Sequence, residues 1–148
     1  MHIETQFSIF MTNKPGILAN ILAELAKARI NILALTVMDS VEHGVLRVVG
    51  TSRENMRKLL AGQNLTFNET DVLCVNLPNK AGAFADVAQK LARSHINISY
   101  AYCTAGARGG RTTGILKVAN VKKAMKVLKG SVKKTAKPIT KRVPAKRK

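Results

Sequence analysis

Apolar and polar positions along the chain fall into one pattern that is run through twice. Residues 5–12 alternate as a strand does, with Phe7, Ile9 and Met11 on one face. Asn13-Lys14-Pro15-Gly16 reads as a turn, with Pro15 suited to the first turn of a helix. Leu18, Ile21, Leu22 and Leu25 then recur at helical spacing to about Arg29. Strands are expected at 32–38 and from Val45 to Val49. A second helix carries Met56, Leu59 and Leu60, and a short strand runs from Leu65 to Glu69. The pattern then restarts. Leu73, Val75 and Leu77 alternate, Phe84, Val87, Ala88 and Leu91 keep helical spacing, and strands are expected at 98–104 and from Ile115 to Ala119. Val121, Ala124, Met125 and Leu128 predict a last helix, and symmetry with the first run places a last strand near Ser131 to Ala136.

The two runs are related in sequence as well as pattern. At a shift of 66 residues, NKPGILANILAELAKARINI (13–32) lies on NKAGAFADVAQKLARSHINI (79–98) with 9 of 20 positions identical and no gap. Four extra residues in the second run fall in GARGGRTTG, a glycine-rich hairpin turn where added length is cheap. Strand-helix-strand twice over predicts an α+β fold: two ferredoxin-like βαββαβ units side by side, antiparallel sheets with helices on one face, and a basic C-terminal tail. The first unit takes residues 1–70. The second takes 71–130, with its last strand reaching 136, and 137–148 form the tail. Units of this size have little core of their own, and pairing them would also hide edge strands.

The repeated N-K-x-G turn, amphipathic helix and I-N-I resemble the ACT domain, and the layout is similar to stand-alone tandem ACT proteins described as like acetolactate synthase regulatory subunits. That resemblance, over roughly residues 3–130, implies an amino-acid effector bound between paired ACT units and no catalysis. The ligand residues it suggests are Asn13, Lys14, Pro15, Gly16, Ile17, Leu18, Asn31 and Ile32 in the first unit, and Asn79, Lys80, Ala81, Gly82, Ala83, Phe84, Asn97 and Ile98 in the second. The chemistry fits. A helix N-terminus offers unpaired N–H groups to a carboxylate, and Gly16 and Gly82 allow close approach to the backbone. The four asparagines supply amide donors and acceptors, although helix capping and turn formation would use the same groups. The copies differ where a ligand would notice: Pro15, Ile17 and Leu18 become Ala81, Ala83 and Phe84, and Ala34 and Thr36 become Tyr100 and Tyr102. The two sites are therefore not expected to be equivalent. The tyrosines share one strand face, where packing on the sheet is the simpler reading.

Charge changes the picture of the second half. The 148 residues carry a formal net charge of +17. All eight acids, Glu4, Glu24, Asp39, Glu42, Glu54, Glu69, Asp71 and Asp86, lie in residues 1–86 with eight bases, while 87–148 hold 17 bases and no acid. Lys133, Lys134, Lys137, Lys141, Arg142, Lys146, Arg147 and Lys148 form a tail without aromatic residues or helical period. Such a tail suits nonspecific polyanion binding, a solubilising extension, or docking to an acidic protein.

Other chemistry is thin. His2, His43 and His95 have no nucleophile motif nearby, and Asp39, Glu42 and His43 share a polar turn, so no enzyme is expected. Cys74 and Cys103 stand alone, which argues against a metal site, and no cofactor is called for. The third strands, HGVLRVVG and GILKVAN, lack the aromatics of an RNA-recognition fold. No secretory leader or membrane span is read, so the expected location is the cytoplasm, with reduced thiols. The expected partners are an amino acid, a second copy of the chain, a biosynthetic enzyme and, through the tail, nucleic acid. The homodimer expectation rests on INILALTVM, read as apolar on both faces: Ile32, Ala34 and Met38 on one, Leu33, Leu35 and Val37 on the other. Helices cover only one of them.

Overall fold

A computed structural model describes residues 1–39, 43–104 and 110–130. The elements are β1 (His2–Thr12), α1 (Ile17–Lys27), β2 (Ile32–Asp39), β3 (His43–Gly50), α2 (Arg53–Gly62), β4 (Thr66–Pro78), α3 (Ala83–Arg93), β5 (Ile98–Thr104), β6 (Arg111–Val118) and α4 (Val121–Gly130). The strands form one six-stranded antiparallel sheet in the order β2-β3-β1-β4-β6-β5. This is the α+β arrangement expected of two ferredoxin-like units. The expected strand at 131–136 and the basic tail lie outside the described residues, as do Glu42 and most of the GARGG turn.

Two long strands join the halves. The strand expected at Leu65 to Glu69 and the one starting near Leu73 are a single element, β4, and the division at residue 70 falls inside it. β4 pairs with β1 from His2–Cys74 to Phe10–Thr66. Thr5 lies directly opposite Asp71, and these two residues are 66 positions apart. Residues equivalent in the repeat therefore face each other, so a local twofold passes between them. Asn68–Thr70 lie beside Gln6–Ser8 as the fourth strand of the first half. By the same symmetry His2–Glu4 lie beside Val72–Cys74, so the chain's first residues hold that place in the second half.

The helices lie on one face of the sheet. Phe7, Ile9, Leu46 and Val48 pack under α1 and α2 with Ile21, Leu25, Met56 and Leu60. Leu73, Val75, Leu116 and Val118 pack under α3 and α4 with Val87, Leu91, Ala124 and Leu128. Three helices end alike, with Arg29, Asn64 and His95 left-handed at φ 54. In each, the next residue's N–H reaches back to the helix: Ile30 to Leu25, Leu65 to Leu60 and Ile96 to Leu91. Each Schellman stop thereby drives an apolar side chain into or against the core. The turns out of α1 and α3 are thus made two residues before Asn31 and Asn97, by Arg29 and His95.

The helix-free face is curled, and edge strands β2 and β5, at opposite ends of the sheet order, touch. Inside the curl, Ala34, Val49, Val72, Cys74 and Ile115 form a third cluster with Leu33 and Tyr102. Bulges at Ile32/Ala34 and Ile98/Tyr100 shift the alternation, so β2 departs from the expected faces. Ile32 packs toward the helices, while Leu33 and Ala34 both join the helix-free cluster. Among the described residues Gln6 is the one fully buried polar side chain. Its amide nitrogen donates to the Tyr100 hydroxyl at 2.7 Å and to Ser8 Oγ at 3.1 Å, and its amide oxygen accepts from the Tyr102 hydroxyl at 2.9 Å. The Arg47 guanidinium stacks 4.0 Å from the Tyr100 ring centroid and touches the Met38 sulfur. The two tyrosines do pack on the sheet, and they also clasp β5 to β1.

Removing the Gln6 amide strands two hydroxyls. Gln6→Leu should cost about 1–3 kcal/mol in urea unfolding, the penalty of unsatisfied buried polar groups, and Tyr102→Phe should cost less, because Gln6 keeps Tyr100. An unchanged midpoint in Gln6→Leu would contradict this account. A second outcome concerns Glu69 on β4, which accepts from Arg53 Nε at 2.9 Å and Arg57 Nη2 at 2.8 Å on α2. These bonds, Arg57's first, hold its carboxyl down to about 2 from an ordinary 4.5. A depressed carboxylate contributes stability that is complete above its unfolded pKa and is lost as pH falls through the folded one. The stability difference between wild type and Glu69→Gln should therefore be constant above about pH 5 and shrink toward pH 2, as acid titration followed by circular dichroism would report.

Candidate functional site

The repeated N-K-x-G segments build the same turn twice. Ile17 N–H bonds Lys14 O at 3.4 Å and Ala83 N–H bonds Lys80 O at 3.3 Å. Gly16 (φ 88, ψ −19) and Gly82 (φ 85, ψ −15) sit at the third position. This is type II geometry, which needs a left-handed residue there and tolerates proline just before it. Pro15 therefore belongs to the turn and not to the helix, because α1 starts only at Ile17. Nothing lies within 4 Å of where a Cβ would stand on either glycine, so the turn backbone faces open space.

The asparagines do not cap these helices. Neither α1 nor α3 has a side-chain cap, whereas Ser52 Oγ accepts from Asn55 N–H at 3.4 Å on α2 and Asn120 Oδ1 accepts from Lys123 N–H at 2.9 Å on α4. Asn13 instead donates from Nδ2 to Asp39 Oδ1 at 2.8 Å, tying the first turn to the end of β2. Asp39 is thus a strand-end partner of Asn13, and His43 opens β3, so both belong to strands and not to the polar turn expected to hold them. Asn79 is held through its backbone N–H on Gly110 O at 2.9 Å. Asn31 and Asn97 follow the C-terminal ends of α1 and α3, so an 11-residue helix, about 16 Å long, separates them from the turn of their own unit. Ile32 and Ile98 beside them pack against the helix-side cores. Within each unit, then, the helix-start residues come together and the I-N-I residues do not join them.

In the second unit the turn opens onto a cleft of about 140 Å³ lined by Leu77, Pro78, Asn79, Lys80, Ala83, Phe84, Cys103 and Thr112. Asn79, Lys80, Ala83 and Phe84 were expected there. Leu77, Pro78, Cys103 and Thr112 were not, because strand register brings them: Leu77 pairs with Thr112, and Cys103 with Gly114. Gly114 was the available signal. A Cβ on it would stand 3.3 Å from the Phe84 ring, so the bare backbone lets that ring lie down along the cleft. Leu77, Pro78, Ala83 and Phe84 make part of the wall apolar, and Asn79, Lys80 and Thr112 make nearly as much of it polar. Burial pushes the Cys103 thiol up, which keeps it neutral, and no lining residue is acidic. The first unit differs in charge, since Asp39 stands at its turn while the equivalent position in the second is Ala105. Among the described residues no three His, Cys, Asp or Glu side chains cluster as metal ligands, and no helix is long and apolar enough to cross a membrane.

No curated protein matches the chain. The crystal structure of protein BT0572 from Bacteroides thetaiotaomicron is 31% identical, with a TM-score of 0.81 over 88% of this chain and 89% of that one. The ligand-free regulatory subunit of aspartate kinase from Thermus thermophilus is 12% identical, with a TM-score of 0.64 over 88% and 97%. The corresponding subunit from Thermus flavus is 16% identical, with a TM-score of 0.55 over 88% and 93%. These last two show a shared fold. The family model described as an ACT domain pair matches residues 1–136, and the chain belongs to that family.

Proposed function

We propose that the protein is a non-catalytic amino-acid sensor that binds one amino acid per chain, in the cleft of its second unit. The observation that carries this reading is an acid-free cleft at an uncapped helix start, beside Lys80. An α-carboxylate suits the free N–H groups of that turn and the Lys80 ammonium, and the side chain suits Leu77, Ala83 and Phe84. The equivalent turn in the first unit is a poorer host, because Asp39 holds the Asn13 amide and repels a carboxylate. Regulation of a biosynthetic enzyme follows from this reading. Aspartate kinase is the enzyme named for the two Thermus relatives, and an acetolactate synthase-type enzyme is the alternative suggested by sequence resemblance. A cytoplasmic location fits either.

We further propose a homodimer in which the I-N-I strand start of one copy, Asn97-Ile98 or Asn31-Ile32, closes a site on the other. The curl of the sheet covers much of the helix-free face from within the chain. Support for self-association is therefore confined to the exposed apolar side chains Phe10, Leu35, Val37 and Met38, three of them on edge strand β2. The acid-free tail is the basis of the other reading, a nucleic-acid-associated protein with the ACT pair as scaffold.

Thermal melts with each common amino acid at millimolar concentration should show a stabilising shift for at least one, since a ligand at 100 times its Kd adds about 2.7 kcal/mol. Silence across the whole panel would remove the sensor reading. Gly82→Val is a poor probe, because a side chain at φ 85 costs about 1–2 kcal/mol by itself. Cys103→Trp, which fills the cleft from an exposed strand position, should erase the shift. Lys14→Trp, at the exposed turn of the first unit, should leave it intact, and loss in both variants would contradict a single site. Light scattering at tens of micromolar should give twice the chain mass, reduced to one chain by Leu35→Glu with Val37→Glu. A wild-type monomer would count decisively against the dimer.

A further inference from the structure

The two halves treat surface charge differently. In the first, Lys27 pairs with Glu24 at 2.6 Å, Lys58 with Glu54 at 2.8 Å, and Arg53 with Glu69 at 2.9 Å, and Arg57 shares Glu69. In the second, Lys90 and Arg93 on α3 and Lys122, Lys123, Lys126 and Lys129 on α4 have no acid within ion-pair distance among the described residues. Asp86, one turn before Lys90, is the only carboxylate on either helix. The two helices pack against each other, and the four α4 lysines are exposed. At 100° per residue, Lys122, Lys126 and Lys129 project within about 60° of one another.

This placement works against the helix that carries it. Lys122 and Lys123 occupy the first turn of α4, which has no acid and where the helix dipole disfavours cations. Lys122 and Lys126, then Lys126 and Lys129, repel at one-turn spacing. α2 has the opposite arrangement, with Glu54 in its first turn paired four residues on to Lys58. A concentrated positive face that lowers the stability of its own helix calls for an external anion.

We propose that the outer face of α3 and α4 binds the phosphate backbone of duplex nucleic acid, independently of the amino-acid cleft. Charge complementarity names the occupant, and composition narrows it. The exposed large apolar residues, Phe10, Leu35, Val37 and Met38, all belong to the first half, so this face has nothing to insert into a lipid layer. It has no exposed aromatic and only one arginine, which ill suits a protein interface built on aromatic and arginine anchors. Lysines act as point charges that neutralise phosphates without reading bases. A duplex carries one charge per about 1.7 Å and so offers several phosphates along the roughly 15 Å of α4. The sequence continues beyond α4 with eight more bases and no acid, which adds to the same attraction.

The test is a salt titration of full-length protein with a labelled duplex DNA of about 25 base pairs, comparing wild type with a variant carrying Lys122, Lys123, Lys126 and Lys129→Gln. Wild type should bind scrambled duplexes equally well and lose affinity steeply between about 50 and 200 mM salt. The variant should bind at least about tenfold more weakly at the low-salt end, and its log–log slope should be shallower by about 0.9 for each phosphate it no longer neutralises. Its melting temperature and its response to amino acids should not fall. If the fourfold variant melts early, Lys126→Gln alone should still flatten the slope by about 0.9. A variant with the wild-type slope would overturn the proposal and assign all binding to the tail. So would absence of retention at about 50 mM salt, or anionic vesicles competing the protein off DNA through the same four lysines.

Discussion

The antiparallel pairing of β1 with β4 is the constraint from which the architecture follows. Its register sets Thr5 against Asp71, equivalent residues of the repeat, so the two halves are related by a twofold inside one sheet. Each long strand then serves both halves. β1 opens the first with Phe7 and Ile9 under α1 and α2, and flanks the second with His2–Glu4. β4 flanks the first with Asn68–Thr70 and opens the second with Leu73 and Val75 under α3 and α4. A slip of one residue would turn every one of these apolar side chains to the opposite face. It would also destroy the equivalence of the halves.

Within that symmetric frame the chain differs where chemistry is concentrated. Gln6 and Val72 are equivalent positions, as are Ala34 and Tyr100. On one side of the axis a buried amide meets tyrosine hydroxyls, and on the other Val72 and Ala34 share an apolar cluster. The helix-start turns diverge in the same way, through an Asp39–Asn13 contact in one half and an acid-free cleft in the other. A duplicated fold has kept its backbone devices, the type II turns and Schellman stops, and varied the side chains around them. β5 links the two asymmetries. Tyr100 and Tyr102 point into the curl, and Cys103, between them and the strand end, faces the cleft on the other side.

Much of this was legible in the chain itself. The recurrence of N-K-x-G and I-N-I, with period-two and helical apolar spacing, placed the four helices and every strand but β4 to within about four residues, because those signals are local. What escaped was set by register. Nothing near Leu65 says that its strand continues through Thr70 and Asp71 into the next, since those polar residues read as a break. Nothing near His2 says that it lies beside Cys74. The bulge at Ile32/Ala34 broke the simple alternation read in INILALTVM. At the cleft, the closely spaced residues Asn79, Lys80, Ala83 and Phe84 were readable, while Cys103 and Thr112 arrive through pairing across a hairpin. Pro15 misled because its fixed φ suits a type II turn as well as a helix start.

The shared strands also bear on how the chain comes off the ribosome. Domains commonly fold as they emerge, N-terminal unit first. Here the first half lacks its flanking strand until Thr66–Thr70 have been made, and that segment is continuous with the strand around which the second half forms. His2–Glu4 find Val72–Cys74 only after some 70 further residues have been made. The emerging chain is left holding an open sheet edge along β1, and loop closure on that scale slows pairing. Evolution can vary the side chains of either half freely, but it cannot cut the gene between them without leaving both with a missing strand.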